Sequence, residues 1–335
     1  MPRRTVGAIV SLVGVTFLVV VLGNGLFGAS SAWEDLSDDV RPGYTDEAIA
    51  GLRADAQQLR ALTNEFGNSV LPTLAQALGI SEAELTTRFL GQFPATAQGV
   101  LTMPQIANAL DDRAQLLEEQ QANFRSADAI PTASRSSIAV PWFITITGIL
   151  AIIAGLLMMQ PGRAVPALLG VLGVIMLAVP LVTSLPQKAA DADALNEAVV
   201  PIFSNVSIDA TAGSITTLRA MAVELEQGLV PGLAQQLGIT AEQAGQFVQT
   251  NFPAIAAALT ETPQTLARLE AANELVAANT GEFAEVREVP NRMIAWTVVI
   301  GGIATILLAS IALMTNEAAV ARAENRRARR MQRAA

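Results

Sequence analysis

Hydrophobic and polar residues are arranged along this chain in long blocks, and four of the apolar blocks are free of charge. These four cover residues 5–27, 138–160, 164–187 and 293–316. A helix rises about 1.5 Å per residue, so each block is long enough to cross a hydrocarbon core of about 30 Å. The pattern predicts four transmembrane helices, with two long polar segments between them.

The first polar segment has the periodicity of helices. From Ile49 to Val70, apolar residues recur every three or four positions, which places them along one stripe of a helix. Gly79 predicts a helix end. Ser81 followed by Glu84 predicts a capping box that starts the next helix. The alternation typical of strands is not found, so the segment is predicted to be all-helical.

Two prolines are predicted to break the helices of this segment. One break falls at Pro94, and a final long helix is expected after Pro104, because proline lacks the N–H that a helix interior needs. In that last helix Leu110, Leu117 and Phe124 are spaced by seven residues, which indicates a coiled seam. The predicted fold class is all-α.

The second polar segment repeats the first at an offset of 159 residues (218 − 59). Residues 59–61 and 218–220 both read Leu-Arg-Ala, and PTLAQALGI at 72–80 corresponds to PGLAQQLGI at 231–239. Counterparts of the capping, proline and heptad positions follow in the same register at Gly238, Thr240, Pro253, Pro263, Leu269, Val276 and Phe283. We expect a tandem duplication in which each copy is a span, a helical domain and a second span.

Charge predicts which side of the membrane each segment occupies. Arg3 and Arg4 precede the first span, Arg163 lies between the second and third, and six arginines follow the fourth. Residues 28–137 carry 15 acids and 7 bases, and residues 188–292 carry 13 acids and 5 bases. Because positive residues concentrate on the cytoplasmic side, we expect both termini in the cytoplasm and both helical domains outside.

The predicted layout combines the spans with this orientation. In chain order it has a cytoplasmic N-terminus with the first span (1–28), an extracytoplasmic helical domain (29–137), a second span (138–160), a cytoplasmic turn (161–163), a third span (164–187), a second extracytoplasmic helical domain (188–292), a fourth span (293–316) and a basic cytoplasmic tail (317–335). A rival interpretation is that residues 1–32 are a cleaved signal peptide. An uncleaved anchor is favoured because the apolar run exceeds the usual signal core of about 7–15 residues.

Two sets of residues are predicted to contact lipid. Trp33, Trp142 and Trp296 fall at the predicted outer interface, where an indole ring is buried while its N–H stays hydrated. In the basic tail, arginines can hold anionic headgroups. The predicted headgroup contacts are Arg326, Arg327, Arg329 and Arg330. Membrane lipid is therefore a predicted partner, and nucleic acid is not.

Composition removes several kinds of chemistry. The chain has no cysteine and no histidine, which excludes disulfides, thiol catalysis and the commonest general base and metal ligand. None of the four apolar blocks contains an ionisable residue, and this disfavours a proton or ion path. A single lysine, Lys188, among 21 basic residues, together with abundant alanine, is typical of a GC-rich bacterial genome.

Three apparent motifs are better explained without a ligand. Residues 23–28 spell the GxGxxG dinucleotide fingerprint, but they follow an apolar helix and not a strand. The acids within residues 34–39 could hold calcium, yet they lack EF-hand spacing. The adjacent carboxylates at 111–112 and 118–119 do not converge on one helix, as an acid–base pair must. We predict no catalytic residue, no cofactor and no metal site.

Four charged residues keep their type in both copies: Arg60 with Arg219, and Glu65 with Glu224. An arginine can bind a carboxylate or a phosphate bidentately. A salt bridge on or between helices is the favoured interpretation, so the four are candidate interaction or structural pairs.

These features predict a non-enzymatic integral membrane protein of a bacterial cell envelope. Its expected role is that of a scaffold or accessory subunit that docks another envelope protein or self-associates through its outer helical domains. The alternative is transport or carriage of a lipid or other hydrophobic molecule in the apolar seams of those domains. A second alternative, an envelope sensor, is weakened by the small cytoplasmic part.

Overall fold

The computed structural model describes residues 3–130, 132, 136–159 and 164–334 of the chain. The secondary-structure elements in this part are all helices, so the all-α prediction is confirmed. The predicted cytoplasmic turn at 161–163 lies outside the described residues.

The helices fall into two series, one in each half of the chain. The first half forms α1 (Arg3–Gly23), α2 (Leu26–Val40), α3 (Asp46–Glu65), α4 (Leu71–Leu78), α5 (Glu82–Gln92), α6 (Pro94–Asp128) and α7 (Ala139–Met158). The second half forms α8 (Ala164–Val182), α9 (Leu185–Val199), α10 (Asn205–Glu224), α11 (Val230–Leu237), α12 (Ala241–Asn251), α13 (Pro253–Ala278), α14 (Thr280–Arg287) and α15 (Asn291–Ala334). A 3₁₀ turn at Arg41–Tyr44 and π-helical turns at Phe66–Val70 and Leu225–Leu229 join some of them.

Helix bounds recur between the halves at the offset found in the sequence. Adding 159 to both ends of α3, at 46 and 65, gives the ends of α10 at 205 and 224. The same holds for α2 with α9, α4 with α11, α5 with α12 and the two π-helical turns. The halves differ later, because α6 runs unbroken to Asp128 while α13 ends at Ala278 and α14 follows.

Two helix ends differ from the apolar pattern, and two prolines do not break helices. The first apolar run reaches residue 27, but α1 ends at Gly23 because Gly25, with φ of +59°, turns the chain. The third apolar run reaches residue 187, but α8 ends at Val182 because Ser184, with φ of +54°, turns the chain. The long helices expected after Pro104 and Pro263 instead begin at residues 94 and 253 and pass through both prolines.

Contacts divide the chain into two compact units. Residues 1–38, 122–197 and 281–335 form the unit that we call the span unit. Residues 39–121 and 198–280 form the other, which we call the lobe unit. Each unit therefore contains residues from both halves of the chain.

Within the residues that the structure describes, the span unit contains four helices that are long and apolar enough to cross a membrane, which confirms this prediction by length and composition. They are α1, α7, α8 and the apolar part of α15. Phe17, Ile144 and Met176 are buried in their common core, whereas Leu22 and Val182 on other faces are 72% and 84% exposed. Helices that are apolar on every side are suited to a lipid environment.

Glycines bring the paired spans together. Within the span unit α1 packs along α7, and α8 packs along α15. A Cβ atom on Gly14 would collide with the carbonyl oxygen of Gly148, and one on Gly173 would lie 3.1 Å from that of Gly302. Small residues at such contacts allow helix backbones to pack closely where no water drives association.

The lobe unit has a hydrophobic core to which both halves contribute. Phe66 and Met103 come from the first half, and Met221, Phe252 and Ile255 come from the second, all of them at most 3% exposed. In the backbone packing, α13 lies against both α3 and α10. The two polar segments therefore share one core.

Candidate functional site

Glu65 and Glu224 end α3 and α10, and each reaches the start of a helix in the opposite half. The carboxylate of Glu65 accepts hydrogen bonds from the backbone N–H groups of Ala254 (3.1 Å) and Ile255 (2.8 Å) in the first turn of α13. Glu224 accepts one from the N–H of Thr96 (2.5 Å) in the first turn of α6. A carboxylate at this position satisfies N–H groups that have no partner within the helix and complements its dipole.

Arg60 and Arg219 form equivalent salt bridges within their own halves. Arg60 pairs with Asp111, and Arg219 pairs with Glu270, which is offset from Asp111 by the same 159 residues (270 − 111). The side chains of both arginines are about half exposed, so solvent screens these bridges and each contributes about 0–1 kcal/mol. Their placement agrees with a structural role between helices.

The predicted interface tryptophans occupy two kinds of environment in the span unit. Trp142 and Trp296 lie in the first two turns of α7 and α15 and are 53% and 46% exposed. Trp33 is half-buried on α2, with its ring centroid 6.3 Å from that of Phe124. Their position at a membrane interface stays a prediction. Arg326, Arg327, Arg329 and Arg330 belong to α15, but their side chains lie outside the described part of the chain.

The acidic residues that follow the first and third spans have separate partners. Glu34 accepts hydrogen bonds from Ser136 and from the backbone N–H of Ser137, while Asp193 accepts one from Asn291 and one from the backbone N–H of Arg292. No group of three or more acids in the described part of the chain converges as a metal ion requires.

An ion pair that the sequence analysis did not single out lies where α3 packs on α13. Asp55 is 6% exposed, and its Oδ1 accepts a hydrogen bond from Nη2 of Arg268 at 2.7 Å. Burial raises the pKa of Asp55, and the attraction of Arg268 opposes that shift. The sequence signal for this residue was weak: one acid directly before Ala56 on the apolar stripe.

A groove of about 360 Å³ lies between α6 and α10 in the lobe unit. Five of the apolar side chains that line it are less than 10% exposed, namely Ile106, Leu110, Ile215, Leu218 and Leu269. The volume lies within the range of about 300–1,000 Å³ that is usual for ligand sites. By contrast, an apolar cavity in the span unit near Leu26, Ile144 and Ile294 has a volume of about 90 Å³.

Arg113 is the cationic residue in the wall of the groove. Its Nη2 donates hydrogen bonds to Oγ of Ser207 (3.1 Å) and to Oγ1 of Thr211 (2.6 Å). Within the described residues, Arg113 forms no salt bridge with an acid. Burial lowers the pKa of Arg113, although an arginine stays protonated in proteins. The groove thus combines an apolar floor with a cation whose partners are neutral.

Comparisons with family models, curated proteins and solved structures find no match to this chain. The fold defines its class broadly: over the described part of the chain the protein is all-helical, and four of its helices are long and apolar enough to cross a membrane.

Proposed function

We propose that the chain is a non-enzymatic integral membrane protein of a bacterial cell envelope, acting as a scaffold or accessory subunit. Its helical segments, residues 29–137 and 188–292, stand outside the membrane and dock another envelope protein or a second copy of the chain. The observation that carries this proposal is the shared core of the lobe unit, held by Glu65 and Glu224 at helix starts of the opposite half. Such a core packs helices of both segments together, so their exposed faces belong to one unit to which a partner can dock.

The spans support a structural role over an ion path. They contain no ionisable residue. The hydroxyls of Thr147 and Thr305 donate to carbonyls of their own helices, at Phe143 and Gly301, and that of Ser11 donates to the carbonyl of Ile152 on α7. Ion and proton routes through membranes usually need ionisable or cavity-lining polar groups.

We further propose that the chain arose by tandem duplication. The support is the repetition of helix bounds at one offset, including the π-helical turns and the left-handed Gly79 and Gly238, which both have φ of +68°. Arg60–Asp111 and Arg219–Glu270 repeat a salt bridge at the same offset. The two copies then have one orientation in the membrane, because each crosses it twice.

Isolation under mild conditions tests the docking role. Chemical crosslinking in intact cells, followed by purification in mild detergent, should recover either a stoichiometric partner or a homo-oligomer. A lone monomer at near-native concentration contradicts the proposal.

The absence of cysteine from the sequence allows a clean test of topology. Single substitutions Leu101→Cys and Val206→Cys place a thiol on lobe positions that are 73% and 80% exposed. In intact cells both should react with a membrane-impermeant maleimide, whereas Gln332→Cys in the tail should react only after permeabilisation. Protection of either lobe thiol contradicts the proposed orientation.

Lipid carriage is the second candidate, and the groove between α6 and α10 is the observation that favours it. The purified protein should then contain lipid that survives detergent exchange, as mass spectrometry can show.

A further inference from the structure

We propose that the groove between α6 and α10 binds a single-chain anionic amphiphile, whose carboxylate or phosphate head is held by Arg113 and whose hydrocarbon chain lies along the apolar floor. This site goes beyond the docking role, and it stands whether or not a protein partner exists.

The groove is open because two small residues occupy the places of a salt bridge. At the contact between α3 and α13, Asp55 bonds to Arg268. The positions equivalent by the 159-residue offset are Ser214 (214 − 55) and Ala109 (268 − 109), and both line the groove. One contact between the halves is therefore closed by an ion pair, while its counterpart leaves space for a ligand.

The polar groups around Arg113 occur at the contact between α6 and α10 and have no counterparts at the equivalent contact between α3 and α13. At the offset positions, Arg113 corresponds to Ala272, Ser207 to Ala48 and Thr211 to Leu52. These three polar groups are therefore not a remnant of the shared helix pattern. A charge that loses water without a counter-ion costs free energy, so an anion beside Arg113 would remove that cost.

The guanidinium is suited to an anionic head. The guanidinium of Arg113 has five N–H donors, and its hydrogen bonds to Ser207 and Thr211 both come from Nη2. The remaining donors bond to no residue in the described chain, and a carboxylate or phosphate can accept two parallel hydrogen bonds from such a fork. The hydroxyl of Ser207 is close enough to Arg113 to donate to the same head, whereas that of Thr211 already donates to the carbonyl of Ser207.

The apolar floor selects an amphiphile over a small anion. Ile106, Leu110 and Leu269 each expose less than 10% of their surface, and burying a methylene group against such a floor contributes about 0.8 kcal/mol. A volume of about 360 Å³ is near the lower end for ligand sites, which favours one hydrocarbon chain over the two of a phospholipid. Asp112 also lines the groove, and its charge opposes an anion.

Photolabelling of the full-length protein in nanodiscs tests the site. The probe is a palmitic-acid analogue that carries a diazirine in its chain, with the matching alcohol as a neutral control and the alkyl phosphate as a second anionic head. We expect both anionic probes to label peptides within residues 106–116 and 207–218, at least about tenfold more than the alcohol does. Equal labelling by acid and alcohol, or labelling confined to the spans, overturns the proposal.

Single substitutions test the contacts of the anionic head and those of the hydrocarbon chain separately. Arg113→Gln should weaken labelling by the acid about tenfold and leave the alcohol unchanged, whereas Asp112→Asn should strengthen labelling by the acid. Ser214→Trp should block both probes by filling the groove, while Thr216→Trp, at an exposed position of α10, should block neither. Unchanged labelling in Arg113→Gln or in Ser214→Trp contradicts the site. If Arg113→Gln does not fold, the other two variants still test the site, because Asp112→Asn should strengthen labelling by the acid and Ser214→Trp should block it.

Discussion

Single carboxylates join the two halves of the lobe unit. Glu65 and Glu224 are each the last residue of a helix, and each accepts hydrogen bonds from N–H groups that begin a helix of the other half. The N–H groups of a first turn lack partners within their own helix. If the carboxylate were absent, these N–H groups would need a water molecule as acceptor at a half-buried contact.

Neutralising these carboxylates should destabilise the protein. Glu65→Gln keeps the size of the side chain but removes the charge that favours the start of α13, so we expect a loss of about 1–2 kcal/mol in the free energy of unfolding. Glu224→Gln should lose a similar amount. Glu226→Gln, at an exposed position two residues on, is the matched control and should change stability by less than about 0.5 kcal/mol. Denaturant unfolding in one detergent measures all three, and equal effects contradict the capping role.

Asp55 should give the lobe unit a distinctive pH dependence. Because burial raises its pKa, the folded state holds a proton on Asp55 more tightly than the unfolded chain does. Between the ordinary pKa of about 4 and the raised pKa, Asp55 therefore makes the free energy of unfolding fall as pH rises.

Thermal midpoints of wild type and Asp55→Asn, measured from neutral pH down to about pH 4, test this sign. Wild type should gain stability relative to the variant as pH falls. Arg268→Gln should widen the effect, because it removes the attraction that opposes the shift. Parallel curves for wild type and Asp55→Asn show that this carboxyl does not contribute.

At this scale the sequence predicts residues whose role is local. Gly79 ends a helix in the left-handed conformation, and Thr240 with Gln243 forms a complete capping box, as their spacing predicts. Asp55 and Arg113 were missed because their environment depends on which distant helices pack beside them. The sequence contains no short-range signal for that.

The π-helical turns show how the chain stays helical directly before a proline. Proline lacks an N–H and its ring collides with the carbonyl four residues earlier in a regular helix. Before Pro72 the backbone widens, and Leu71 donates its N–H to the carbonyl of Phe66. The turn before Pro231 has the same form. Proline therefore marks a local change of winding here, which the sequence pattern cannot distinguish from a break.

Glycine packing between spans can be tested at the level of one helix pair. Gly14→Ala places a Cβ atom in collision with the carbonyl oxygen of Gly148, so α1 and α7 must separate, and we expect a loss of about 1–3 kcal/mol. Gly23→Ala is the control, because a Cβ there meets no atom within 4 Å. Thermal unfolding in the same detergent should show a lower midpoint for Gly14→Ala alone. Equal midpoints for the two variants contradict close packing of these backbones.

At the scale of the whole molecule, the sequence predicts the elements better than their assembly. Hydropathy and periodicity lie within single segments, so four membrane-capable helices and an all-helical fold could be predicted. The shared core of the lobe unit could not, because repeated sequences are compatible both with two separate lobes and with one. The groove could not be predicted either. It depends on two small residues, Ala109 and Ser214, at the positions that correspond to the ion pair between α3 and α13.

The shared core predicts that neither half is stable without the other. The chain can be split at the predicted turn, with residues 1–160 and 164–335 produced as separate polypeptides. Phe66 would then lose the contribution of Phe252 and Ile255 to its core, and Glu65 would lose the helix start that it caps. Co-produced halves should purify as a one-to-one, protease-resistant complex, whereas each half alone should be degraded. A single half that resists protease and unfolds cooperatively would show that each segment has a sufficient core of its own. The glutamate capping would then join two bodies that are already folded.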